Sequence, residues 1–230
     1  MDGVLADFAS AYREIETRLF GPESQTRAGD PEDETAERPP SSPDAPPAPA
    51  ASRRALSPHE QRRHRDLVWQ VIQSTSDFWS TLKPLDPDAV GRIQTLAVRH
   101  RWDVVFITQR PATEGQTVQR QTQRWLSQQG FEWPSVLVIP GSRGAAAAAL
   151  KLDYLVDDSP KNCVDVRAES LANPLLIAEP EDEATLASAK KLGIVVAHRI
   201  GECLDLLDRA SLAESQPSLL DRVAKLVGLR

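Results

Sequence analysis

The sequence predicts an α/β fold of the doubly wound type: a mostly parallel sheet with helices packed on both faces. Two observations lead there. From residue 88 onward, short apolar, largely β-branched runs bounded by turn residues alternate with helical stretches of roughly ten residues. The chain, at 230 residues, is also long enough for one such domain with insertions.

The elements can be taken in chain order. Residues 9–20 are a short structured piece that cannot fold alone. A helix over about 58–82 follows from Leu67, Val68, Val71, Ile72, Phe78, Trp79 and Leu82, which recur at spacings of three and four. Ser57-Pro58 with Glu60 starts it, and Lys83-Pro84 stops it. The alternation then runs helix 86–100, strand Val104–Ile107, helix 113–129, strand Val136–Ile139 and the helix through Ala145–Leu150. It continues with strand Tyr154–Val156, helix 161–170, strand Leu175–Ala178, helix 182–192, strand Ile194–Ala197 and a last pair of helices. The C-terminal helix, 211–230, carries Leu219, Leu220, Val223, Leu226 and Val227 on one face, suited to packing on its own domain or, less simply, to a dimer contact.

Residues 21–58 differ in kind. They hold nine of the eighteen prolines and almost no large apolar side chains, so they cannot offset the entropy of ordering. With structured sequence on both sides, this tract is expected to be a disordered insertion inside a domain.

Composition excludes several classes of function. A net charge of −6 and a pI near 5.3 argue against a partner such as a nucleic-acid polymer. Arg53, Arg54, Arg62, Arg63 and Arg65 form one basic cluster, either a solvated face or an anion-steering patch. Two cysteines, Cys163 and Cys203, in or beside apolar segments make neither a disulfide framework nor a zinc site. No 18-residue apolar run and no signal-peptide layout is present, so a soluble cytoplasmic protein without a membrane partner is expected.

In such sheets, function gathers beyond the carboxyl ends of the strands. Thr108 follows one apolar run, and Asp157-Asp158 follows another. Two adjacent aspartates at a strand end repel one another in a partly desolvated crevice, and Mg²⁺, a hard oxygen-seeking cation, removes that cost. Thr108 offers a hydroxyl to a phosphate oxygen. Each of these features alone is ordinary loop or cap chemistry.

Together, in this order, DGVLADF at residues 2–8, VVFIT ending at Thr108 and YLVDD ending at Asp158 resemble the motifs of the haloacid-dehalogenase-like (HAD) hydrolases. The resemblance covers about residues 1–20 and 59–200. Within that superfamily the opening, and the segment Phe78-Trp79-Ser80-Thr81-Leu82-Lys83-Pro84-Leu85, are most similar to the 5'(3')-deoxyribonucleotidase group. The resemblance implies a core from residues 1–8 and 86–210 and a small helical cap from 9–20 and 59–85. It implies a Mg²⁺-dependent phosphate-monoester hydrolase, with small phosphorylated substrates that include nucleotides; sugar or cofactor phosphates are further options. Asp2 would be acid and base and give its backbone carbonyl to the metal. Asp157 would be the main metal ligand, supported by Asp158. Phe8 would face the base or leaving group, although Phe8, Phe78 and Trp79 equally suit plain core packing. The phosphate's positive partner is either Arg143, in a Gly-flanked turn, or Lys151. Arg110 is a candidate substrate-anion contact or simply a loop arginine.

One departure matters. The family's attacking carboxylate would stand one position before Met1, where it would form an aspartyl-phosphate, and the first central strand would precede it. The sequence reading therefore expects that strand to be missing from the 230 residues, leaving two half-sheets facing a gap, and expects a true start further upstream. The rival expectation is a catalytically inactive HAD-like binding or regulatory protein.

Overall fold

The computed structural model describes residues 1–22 and 57–214. The proline-rich tract, Arg53, Arg54 and nearly all of the expected C-terminal helix lie outside those residues. The described chain is mixed α/β, with eight α-helices and two small parallel sheets.

Helix α1, Phe8–Phe20, begins where the Asp7 carboxylate accepts from Ser10 N at 2.9 Å. Helix α2, Pro58–Ser74, opens with a reciprocal cap: Glu60 N donates to Ser57 Oγ at 3.3 Å, and Ser57 N donates to Glu60 Oε2 at 2.8 Å. It stops at Ser74, short of the expected 82. There Ser74 Oγ and Thr75 Oγ1 donate back to Gln70 O at 2.9 Å and Val71 O at 2.7 Å, Thr75 turns extended, and Asp77 adopts a left-handed φ of 53°. Phe78, Trp79 and Leu82 are buried as a helix would have buried them, but through a 3₁₀ turn at Phe78–Ser80.

The alternating part consists of α3 (Ala89–His100), β1 (Val105–Thr108), α4 (Val118–Gln128), β2 (Ser135–Val138), α5 (Arg143–Leu150) and β3 (Tyr154–Asp157). It continues through α6 (Pro160–Glu169), β4 (Asn173–Ile177), α7 (Glu183–Lys191), β5 (Val195–Ala197) and α8 (Ile200–Glu214). Helix α4 starts at Val118 and not near 113, because Thr117 caps it by accepting from Arg120 N at 3.3 Å. Among the described residues every strand pairs in parallel. β1 lies beside β2 with Thr108 opposite Val138, and β3, β4 and β5 form the second sheet with Asp157 opposite Leu176. Parallel strands need covered faces, and helices between successive strands supply the cover.

Among the described residues β1 pairs only with β2, and β3 only with β4. Side chains of the two inner strands nevertheless belong to the same apolar clusters. Ile107 packs in a cluster with Leu155, while Val104 and Phe106 share the main core with Tyr154 and Val156. That main core also takes in Tyr12 and Ile15 of α1 and Val68, Trp69 and Ile72 of α2, so the helical pair and the sheet share one apolar cluster. Trp125 is fully buried and donates to Leu82 O at 2.7 Å; burying a side chain of this size contributes about 3 kcal/mol. Helices α5 and α6 approach closely at Gly144, where a Cβ would lie 2.3 Å from Asp165 O.

Residues 1–7 form a tight loop. Met1 O accepts from Leu5 N at 2.8 Å and Ala6 N at 3.2 Å, and the loop is stitched to the core by Leu85 N to Leu5 O and Asp7 N to Lys83 O, both 2.8 Å. This holds Asp2 at the carboxyl ends of β1 and β3.

Candidate functional site

The carboxyl ends of the strands, the N-terminal loop and the helical pair enclose a pocket of about 230 Å³. Its polar wall is formed by Asp2, Thr108, Arg110, Arg143, Asp157 and Asp158, and its apolar wall by Phe8, Trp69 and Trp79. Seven of the eight site residues read from the sequence therefore converge; Lys151 does not. It sits exposed at the C-cap of α5 with a left-handed φ of 53°, at the end of the helix remote from Arg143, and it does not line the pocket. Of the two candidates for a positive partner, only Arg143 is in place.

Arg110 is held differently from the substrate contact considered above. Its Nε donates to Asp2 Oδ1 and Oδ2 at 3.1 and 2.9 Å, Nη2 donates to Oδ1 at 2.5 Å, and Nη1 donates to Thr122 Oγ1 at 2.9 Å. Its side chain is 1% exposed, and the guanidinium lies over the Trp79 ring, 4.9 Å from the centroid. Trp79 is braced in turn: its backbone N–H donates to Gln121 Oε1 at 3.0 Å and its indole N–H to Pro111 O at 3.0 Å. Burial pushes the Asp2 carboxyl up, but the charge and hydrogen bonds of Arg110 outweigh it and hold Asp2 below the usual carboxylate range.

The opposite wall is less settled. Arg143 begins α5 behind the cap of Ser142, which accepts from Gly144 N at 3.0 Å. Its Nε is 3.9 Å from Asp157 Oδ2, and its Nη1 is buried with no hydrogen-bond partner. Asp157 Oδ1 accepts from Ser159 N at 2.9 Å and Asn162 Nδ2 at 3.0 Å, so turn and helix fix the carboxylate's orientation. Asp158 is pushed up to about 6, chiefly by desolvation, with Asp157 and Asp2 adding like-charge repulsion and the α-amino group of Met1 opposing them. Its Oδ2 lies where a Cβ on Gly3 would be, 1.8 Å from it; glycine at φ +72° is what lets the loop pass.

On the apolar wall Phe8 stacks on Trp69, with centroids 5.6 Å apart and planes at 27°, and packs edge-on against Phe78 at 6.5 Å. Phe8 is half-buried and lines the pocket, whereas Phe78 is buried and only supports it. Trp69, Asn162 and Ser159 were not singled out from sequence. Asn162 had a weak signal, as a polar side chain three residues beyond Ser159, at a Ser-Pro helix start that follows Asp-Asp. Trp69 looked like any apolar position of α2.

Comparison of the chain with protein-family models, with curated proteins and with solved structures found no match.

A hard cation fits this donor set in part. Asp157 and Asp158 are adjacent carboxylates whose repulsion a divalent ion would relieve. The Asp2 side chain is committed to Arg110, and among the described residues no three acidic, histidine or cysteine side chains converge as one ligand group. Mg²⁺ held by Asp157 and Asp158, completed by backbone oxygen, water or a phosphate oxygen, is compatible with this arrangement. Elsewhere, no helix among the described residues is long and apolar enough to cross a membrane.

Proposed function

We propose that the pocket binds a phosphate monoester and that the chain is a Mg²⁺-dependent phosphatase of HAD type, doubly wound with a small helical cap. The observation that carries this reading is the meeting of Thr108, Arg143, Asp157 and Asp158 from separate strand and helix ends around one cavity. Thr108 would donate to a phosphate oxygen, and Arg143 would neutralise it with a planar fork, the more directional choice over lysine. Asp157 and Asp158 would hold Mg²⁺, which supplies charge neutralisation at the phosphoryl group. The aromatic wall suits a flat leaving group, with nucleotides one class among small phosphate esters.

Asp2 would move the proton. In the arrangement described it is ionised and hydrogen-bonded by Arg110 at both oxygens, so acting as an acid requires one of them to be released. By the resemblance, the attacking carboxylate this mechanism needs would stand one position before Met1. The test is therefore phosphatase activity of two chains: the 230-residue chain, and the same chain preceded by an apolar strand ending in Asp. The extended chain should hydrolyse phosphate esters with Mg²⁺ and lose at least a hundredfold with Asp157→Asn, in line with the loss of a transition-state charge partner. Full activity of Asp157→Asn overturns the assignment.

A second reading, a HAD-like protein that binds a phosphate ester without hydrolysing it, is favoured by the grip of Arg110 on Asp2. Saturable, Mg²⁺-dependent binding of inorganic phosphate by an extended chain that shows no turnover would select it.

A further inference from the structure

At the amino end of β2, remote from the pocket, Trp133 is 92% exposed in a left-handed backbone conformation, φ 54°. Large aromatic rings are mostly buried, and a bulky residue in this conformation is strained by about 1–3 kcal/mol. The loop is nevertheless held on both sides of the ring. Glu132 N donates to Gln94 Oε1 of α3 at 3.1 Å, and Gln123 Nε2 of α4 donates to Pro134 O at 3.3 Å. Phe131 is buried edge-on against Phe106. A fixed loop that presents a tryptophan to solvent has the form of an interaction surface. Val98, 69% exposed, stands one helical turn beyond Gln94 and extends the apolar surface along the same flank of α3. On the other flank of α3 lies α8, joined by Arg92 to Asp205, His100 to Asp208 and Trp102 to Ser211. Leu212, 50% exposed, comes one turn after Asp208, near the end of α8.

The chain leaves α8 at Glu214, beside this flank, and residues 215–230 follow in the sequence. Leu219, Leu220, Val223, Leu226 and Val227 recur there at helical spacing, and Ser218 with Asp221 three positions on has the pattern of a helix cap. We propose that residues 215–230 return across the end of α3 and seat this apolar stripe on Leu212, Val98 and Trp133. The reach is sufficient. Residues 215–218 span up to about 13 Å when extended, and a helix over 219–227 adds about 13 Å, against a helix width of about 10–12 Å. The occupant is the chain's own tail and not a second copy, because a tail tethered at the patch has an effective concentration on the order of millimolar, which a separate molecule does not match. This docking is independent of the phosphate-ester reading, since Trp133 lies at the amino end of β2 and the pocket at the carboxyl ends of the strands.

The experiment is hydrogen–deuterium exchange of the full 230-residue chain, read by mass spectrometry on peptides from residues 215–230 and from the strands. In the wild type the tail should exchange about tenfold or more slower than an unstructured peptide, equally at low and high protein concentration. Trp133→Asn, a residue that tolerates the left-handed backbone, should bring the tail close to the unstructured rate and leave β1 and β3 protected as before. Val98→Ser should speed the tail by a smaller factor. A wild-type tail that exchanges as an unstructured peptide overturns the proposal, and so does protection that survives undiminished in either variant. Protection that grows with concentration, together with the mass of a dimer in sedimentation, gives the patch to a second copy and overturns it as well. Should the patch variants fold poorly, the reciprocal variant Val223→Asp decides. It should raise hydroxyl-radical oxidation of Trp133 severalfold over the wild type, because the ring loses its cover; equal oxidation in the two overturns the proposal.

Discussion

On the β1 wall of the pocket, Arg110 holds Asp2 with three contacts, leans on Thr122 and covers Trp79, whose own donors are met by Gln121 and Pro111. On the β3 wall, Arg143 stands 3.9 Å from Asp157 with one nitrogen unpaired, and desolvation, with the charge of Asp157 added, pushes the Asp158 carboxyl up. The same residue types are present on both sides, in opposite states. On the proposed function, the difference separates structural chemistry from binding chemistry. A charge whose partners lie within the protein contributes to the fold, while a buried charge without them is stabilised only when a ligand arrives.

The sharpest way to break this comparison is to remove each arginine in turn. Arg110→Ala strands a carboxylate and a threonine hydroxyl and opens the face of Trp79, so it should cost about 3 kcal/mol of stability, read as a large fall in the urea midpoint. Arg143→Met, which keeps the bulk and deletes an unmet donor, should leave the midpoint nearly unchanged while abolishing phosphate binding. Equal destabilisation by both would mean the two walls are not different in kind.

Next in size is the loop between the walls. Gly3→Ala places a Cβ at φ +72° into the Asp158 carboxylate. The backbone strain alone costs about 1–3 kcal/mol. Displacing Asp158 should also weaken Mg²⁺ binding, so the variant should lose both thermal stability and any Mg²⁺-induced gain in Tm. A loss of stability with the Mg²⁺ response intact would show that Asp158 does not take part in holding the ion.

The walls should also respond to pH with opposite sign. Asp2 is held below its ordinary value, so its contribution is complete above about pH 4 and fades as the pH falls further. Asp158 is raised from 3.8 to about 6, so the folded state keeps its proton after the unfolded state has lost one. Its contribution is present below about pH 4 and is lost as the pH rises to about 6. Denaturation midpoints measured without Mg²⁺ between pH 4 and 6 should show this fall in the wild type and a flatter profile in Asp158→Asn. An unchanged slope in the variant would place the titration elsewhere.

How far the sequence could be read follows from which residues report locally. The alternation of strand and helix was legible because each apolar run is short and each helix amphipathic or capped, as at Ser57 and Glu60. Thr108, Asp157 and Asp158 were legible because a strand end fixes where the next side chain can go. The end of α2 was not, since the burial of Phe78, Trp79 and Leu82 satisfies a helical spacing whether the chain is a helix or a 3₁₀ turn. Nor was the pairing of Arg110 with Asp2, a contact across 108 residues. Trp69 stayed hidden because its place in the apolar stripe of α2 gives no sign that it also lines the pocket.

The smallest effect tests the choice between Arg143 and Lys151, the two ends of one helix. Lys151 closes α5 in a left-handed conformation, its backbone N–H bonded to Ala147 O and Ala148 O, with its side chain exposed. Glycine is the residue that such a cap prefers. Lys151→Gly should therefore raise stability by about 0.5–1 kcal/mol, offset slightly by the greater freedom of glycine in the unfolded chain. Phosphate affinity should not change, because the ammonium is outside the pocket. A fall in phosphate affinity with the fold intact would return Lys151 to the binding site and remove the main reason for giving that role to Arg143 alone.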